Sequence, residues 1–129
     1  MKRQSCLKIG LGGAGAQESG KQTQHPVVLD VDLSVDPAKE QEMLHNFRTT
    51  FKPAAMTFQG YVDVKMCKLR SAMQGTPPSG VNYRFQLTYE SEELRQKWAT
   101  SETHRKVWPG IENALQSKDF VVLLFDSVQ

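Results

Sequence analysis

Residues 27–51, VVLDVDLSVDPAKEQEMLHNFRTTF, change period in the middle, and that change decides the fold class. Val27, Leu29, Val31, Leu33 and Val35 recur at every second position, opposite Val28, Asp30, Asp32 and Ser34. Alternation of this kind describes a strand with one face on a core. Asp36 and Pro37 then supply an N-cap and a first-turn proline whose fixed φ suits a helix start. Beyond them Met43, Leu44, Phe47 and Phe51 form a stripe at helical spacing. The sequence therefore predicts a helix running to about Lys52, ended by Pro53.

Downstream the alternation returns. Gly60 opens a second strand, YVDVKMCKLR, in which Val62, Val64 and Met66 are expected inside and Asp63, Lys65 and Cys67 outside. The polar stretch 71–80, SAMQGTPPSG, is rich in turn formers. VNYRFQLTYE follows, with Val81, Tyr83, Phe85, Leu87 and Tyr89 on one face, so the two runs suggest an antiparallel hairpin. Ser91 then caps a second helical region, with Glu92 and Glu93 in its first turn. Leu94, Trp98, Ser101, Arg105 and Trp108 share one side if that helix is continuous; alternatively Ser101 caps a fresh short helix. A short helical turn is expected within 109–117. DFVVLLFDSV closes the chain as a strand that is apolar on both faces, so both should be covered.

The order is β-α-β-β-α-β, an α+β ferredoxin-like arrangement: a four-stranded antiparallel sheet with helices on one face. The other face is bare, and a homodimer packed sheet to sheet is the economical way to cover it. Asp30, Asp32 and Asp63 belong to that outer face, where Lys65 and Arg84 are the expected partners.

Upstream, residues 1–25 carry five of the nine glycines and no apolar period, and are read as a flexible leader to a domain spanning 26–129. Lys2 and Arg3 ahead of Leu7–Ala16 imitate a secretory signal, but Lys8 and four glycines interrupt the apolar stretch, so a cytoplasmic protein is expected. Gly10-x-Gly12-x-x-Gly15 and Gly15-(x)4-Gly20-Lys21 imitate phosphate loops without the helix that would complete them. The 129 residues are 39% hydrophobic and carry a net charge of +2 with no basic cluster, which argues against nucleic acid as a partner. No run reaches the ~20 apolar residues of a membrane helix. Two cysteines, Cys6 and Cys67, are too few for a disulfide framework.

The segments VDPAKEQEMLHNF, FQGYVDVKM and LTYESEELRQKWATSETHRKVW resemble the antibiotic biosynthesis monooxygenase domain, over residues 26–129. The resemblance implies a dimeric α+β barrel, a pocket in each subunit between sheet and helices, and oxygenation of phenols or quinols without metal or flavin. It also places His104 where the family keeps a histidine. In the related haem-degrading proteins the resemblance would require an Asn on the first strand, a Trp on the second helix and a His ten residues later. Here those positions are Leu29 or Asp30, Trp98 and Trp108, so the axial ligand is missing.

The candidate site is accordingly His104 as catalytic base, with Trp98, Trp108, Tyr61 and Tyr83 as substrate-binding residues and with no metal or cofactor. A flat aromatic substrate needs aromatic walls that exclude water. Cofactor-free oxygenation needs a base near neutral pH, and a donor for the anion that results. Each residue also has a plain reading: core indoles, a solvated histidine beside Arg105 and Lys106, ordinary strand tyrosines. The expected function is a cofactor-independent monooxygenase of a small aromatic compound. The alternatives are a non-catalytic ligand-binding dimer and an isomerase-type enzyme.

Overall fold

The computed structural model describes residues 25–128. The expectations placed on residues 1–24, the leader and its glycine motifs, lie outside the described residues. Strand β1 (Val27–Leu33) leads through a 3-10 turn (Pro37–Lys39) into α1 (Glu40–Asn46), a π-turn (Phe47–Phe51) and α2 (Lys52–Met56). A hairpin follows, of β2 (Tyr61–Lys68) and β3 (Tyr83–Tyr89). Helices α3 (Glu92–Ala99), α4 (Glu102–Val107) and α5 (Pro109–Glu112) then precede β4 (Val121–Asp126). The four strands form one sheet in the order β2-β3-β1-β4, with every pair antiparallel. This is the ferredoxin-like topology, with helices on one face.

The register sorts side chains as the alternation requires. Val27, Leu29, Val31 and Leu33 stand opposite Tyr89, Leu87, Phe85 and Tyr83, and all eight look toward the helices. With Met43, Phe51 and Trp98 they build a core whose members are almost all below a tenth exposed. Asp36 caps the first turn as expected, its Oδ1 accepting from the Ala38 N–H at 2.9 Å. Asn82 clamps the chain just past β1: its Oδ1 accepts from the Val35 N–H and its Nδ2 donates to the Val35 carbonyl.

Three expectations need correction. Pro53 does not end the first helix. The Lys52 N–H reaches back five residues to the Phe47 carbonyl, so the helix widens by one residue immediately before the proline and carries on to Met56. A π-turn at this point removes the demand for the N–H that proline lacks. Val62 does not face the core either. The β2–β3 register shifts between Tyr61 and Asp63, so Val62 is the extra residue of a bulge and is half exposed, and Tyr61 turns inward beside Tyr89. Finally, β4 is covered on neither face by the described residues. Val121 to Phe125 are each 45–55% exposed, because an open cavity lies against the helix side of β4 and no described residue packs on its outer side.

The second helical region is broken, as the alternative reading of Ser101 required. Ser91 Oγ accepts from the Leu94 N–H at 3.3 Å and starts α3. Ser101 Oγ accepts from the His104 N–H at 3.1 Å and starts α4. Gly60, at φ +92°, brings the turn before β2 hard against α3: a Cβ there would lie 2.6 Å from the Leu94 side chain.

Candidate functional site

Between the helices and the β1–β4 half of the sheet lies a cavity of about 400 Å³. Leu29, Leu87, Val122 and Leu124 form its sheet wall, and Trp98, His104 and Trp108 its helical wall. The sheet residues share a face because of the register, Leu29 standing between Leu87 on β3 and Leu124 on β4. The three helical residues come together because the chain turns at Thr100–Ser101. Trp98 lies in the last turn of α3, His104 sits in the first turn of α4, and Trp108 follows His104 by four residues.

The rings are in contact. The His104 imidazole lies nearly parallel to the Trp108 indole, 9° between planes and 6.1 Å between centroids. Trp98 meets the same imidazole edge to face at 5.1 Å. Phe51 closes the back, within 5.5 Å of Trp98 and 6.1 Å of Trp108, and Phe120 flanks Trp108. Trp98 is 1% exposed, so it is both core and cavity wall. His104 is half-buried, and no hydrogen bond to its imidazole is made by the described residues. Burial, with the Arg95 charge adding to it, pushes its pKa below the usual histidine value. A neutral ring with a free acceptor nitrogen is thus available near neutral pH.

Arg95 is the residue of this wall that sequence reasoning missed. It is the one side chain besides His104 among the described lining residues that titrates. Glu92, one turn earlier on α3, holds it through a fork: Nε donates to Oε1 at 2.6 Å and Nη2 to Oε2 at 2.8 Å. The pairing keeps the Glu92 carboxyl below its usual range, the Arg95 guanidinium being the main cause, and raises Arg95. An acidic residue three positions before a basic one at a helix start was a legible signal of the pair, though not of its position beside the cavity.

The two tyrosines lie elsewhere. The Tyr83 ring is core, and its hydroxyl donates to Glu40, which Lys68 also grips at 2.8 Å. Burial and the Glu40 carboxylate push the Tyr83 pKa up to about 12. Tyr61 packs against Tyr89 at the far end of the β2–β3 hairpin. Neither contributes to the cavity wall, so the structure brings together Trp98, His104 and Trp108 but not Tyr61 or Tyr83.

The outer face of the sheet carries the expected ionic pairs. Arg84 Nε donates to Asp32 at 2.9 Å and lies 3.9 Å from Asp30, and Lys65 is 3.8 Å from Asp63. Among the described residues no group of three or more His, Cys, Asp or Glu is placed to hold a metal ion. No described helix is long and apolar enough to cross a membrane.

No protein-family model matches the chain, and no curated protein matches it. Solved structures do. A Caulobacter crescentus protein provisionally named an antibiotic biosynthesis monooxygenase superposes with a TM-score of 0.64 at 18% identity, over 82% of this chain and 92% of that one. A dimeric ferredoxin-like protein of unknown function from Jannaschia sp. CCS1 gives 0.63 at 14%, over 81% and 99%. The hydroxynitrile lyase of Passiflora edulis gives 0.66 at 11%, over 83% and 97%. At such identities the likeness establishes the fold, and one fold here serves an oxygenase name and a lyase name alike.

Proposed function

We propose that this protein is a cofactor-independent monooxygenase of a small planar phenol- or quinol-like compound, with His104 as its base. The carrying observation is a half-buried imidazole stacked on Trp108 inside an apolar cavity, where burial disfavours its charged form, with Arg95 on the same wall. A planar ring fits between walls of indole and aliphatic side chains. Removing an acidic proton from such a ring leaves an electron-rich anion that can reduce O2 directly. The overall change balances without a further reductant. Two substrate hydrogens leave as water with one oxygen atom, and the other oxygen becomes a ring carbonyl. A low-dielectric cavity favours each of these charge-separating steps only where fixed donors await the anion.

The acting unit in this reading is a homodimer joined through the outer sheet faces. Val121, Leu123 and Phe125 stand about half exposed there, in a row larger than single scattered apolar residues would make. Asp30 Oδ1 on the same face is buried within the chain itself and has no hydrogen-bond partner among the described residues.

Oxygen uptake by the metal-free and flavin-free protein with a panel of anthrones and quinols is the direct test. Uptake with at least one, lost in His104→Ala, is the expected result, and no uptake with any overturns the oxygenase reading. One second reading has its own support. The same base and guanidinium serve a redox-neutral proton transfer, the kind of chemistry a lyase name implies. Exchange of substrate hydrogen with solvent deuterium, abolished in His104→Ala and indifferent to oxygen, would establish it instead.

A further inference from the structure

We infer that Arg95 holds the substrate's oxygen, and that the substrate enters as a neutral phenolic or enolic hydroxyl, not as a carboxylate. The inference rests on the aromatic-binding reading of the cavity and names what that reading leaves open.

The Glu92 fork occupies one edge of the guanidinium, Nε and Nη2, and no hydrogen bond to the Nη1 end is made by the described residues. Glu92 and Arg95 both sit on α3 and Arg95 is only 16% exposed at its side chain, so the fork fixes the plane of the guanidinium at the cavity wall. A planar donor anchored at one edge keeps its other end for a further acceptor.

Charge then selects the ligand. Arg95 is already neutralised by Glu92, and the rest of the described lining apart from His104 is without charge. A permanent carboxylate would bring a second negative charge to a guanidinium that has one, at the cost of its own desolvation. A neutral hydroxyl brings none. Once it is bound, its proton passes to the free imidazole nitrogen of His104, the oxygen keeps the bonding pair, and the Nη1 end of Arg95 donates to the new oxyanion. Imidazolium and oxyanion appear together, so the cavity's net charge does not change. Arg95 is a catalytic residue in this scheme and Glu92 a positioning residue.

Three chromophores of one shape test it on the full chain: para-nitrophenol, para-nitroanisole and para-nitrobenzoate, titrated at a pH below the solution pKa of the phenol. The wild type should bind the phenol about tenfold more tightly than its methyl ether, the order of one charge-assisted hydrogen bond. The bound phenol should show the absorption of the phenolate. In Arg95→Gln the phenol and the ether should bind alike, and the phenolate band should vanish. In Glu92→Gln, which leaves the guanidinium uncompensated, para-nitrobenzoate should tighten by roughly tenfold over its weak binding to the wild type. Equal wild-type affinity for phenol and ether without a phenolate band, or benzoate binding as tight as phenol, overturns the inference and leaves the aromatic cavity standing. Failure of all three to bind overturns the aromatic-binding reading, and this inference with it.

Discussion

His104 is held by its backbone N–H on Ser101 Oγ and by its ring against Trp98 and Trp108, and no hydrogen bond to its imidazole nitrogens is made by the described residues. Burial therefore disfavours the imidazolium with nothing to compensate it, and the Arg95 charge acts in the same direction. The folded protein then binds fewer protons than the unfolded chain just below pH ~6.5. Stability should rise with pH from the depressed folded value up to about 6.5, be complete above it, and be lost as the pH falls. Urea unfolding at a series of pH values checks this: His104→Phe should lack the slope that the wild type shows. For a base that must be neutral, the acid limb of the activity profile should likewise lie below the ordinary histidine value. Tyr83 behaves as a structural residue. Tyr83→Phe should cost about 1 kcal/mol through its bond to Glu40 and leave the affinity for aromatic ligands unchanged, as calorimetry would show. The alternation of the third strand marked Tyr83, and the family resemblance singled out His104 beside the two indoles at 98 and 108. Arg95 was not singled out, because its role depends on which side of α3 the sheet happens to cover.

Ser101 is the joint between two elements. Its Oγ donates to the Trp98 carbonyl at 2.7 Å and accepts from the His104 N–H at 3.1 Å, so one hydroxyl sets the angle between α3 and α4. Ser101→Ala should cost about 1 kcal/mol for the lost cap and also weaken aromatic binding. Ser91→Ala should cost a similar amount, since Ser91 caps α3 and is 5% exposed, yet leave binding near the wild-type value. Thermal unfolding beside a ligand titration separates the two. Gly60→Ala should destabilise more than either, because a Cβ at that positive φ meets Leu94 at 2.6 Å; its melting temperature gives the comparison. Element existence was readable from period and caps. The π-turn before Pro53 and the bulge at Val62 were not, because each is a one-residue insertion that shifts register without changing residue type.

At the scale of the molecule, β4 is the element that sequence and single-chain structure describe differently. Its uninterrupted apolar run asks for cover on both sides, and the described residues supply cover on neither. Its helix-side residues Val122 and Leu124 wall the cavity, and Val121, Leu123 and Phe125 point the other way. Leu123→Lys should convert a dimer into a monomer in sedimentation or light scattering, with the cavity intact, because a charge in the middle of an apolar contact cannot be hydrated there. A mass unchanged by the substitution would exclude the outer sheet face as the contact.

The amino-acid sequence alone determined the order of strands and helices, the inward and outward sets of β1 and β3, and the caps, since period and end signals are local properties of the chain. It also marked Trp98, His104 and Trp108. Only the tertiary structure decided that these three converge on one wall, that Arg95 joins them, and that Tyr61 and Tyr83 stand apart. The reason is geometric: strand order decides which side of α3 and α4 the sheet covers, and no single window of the chain encodes it, while the local signal at Ser101 left a continuous and a broken helix both open.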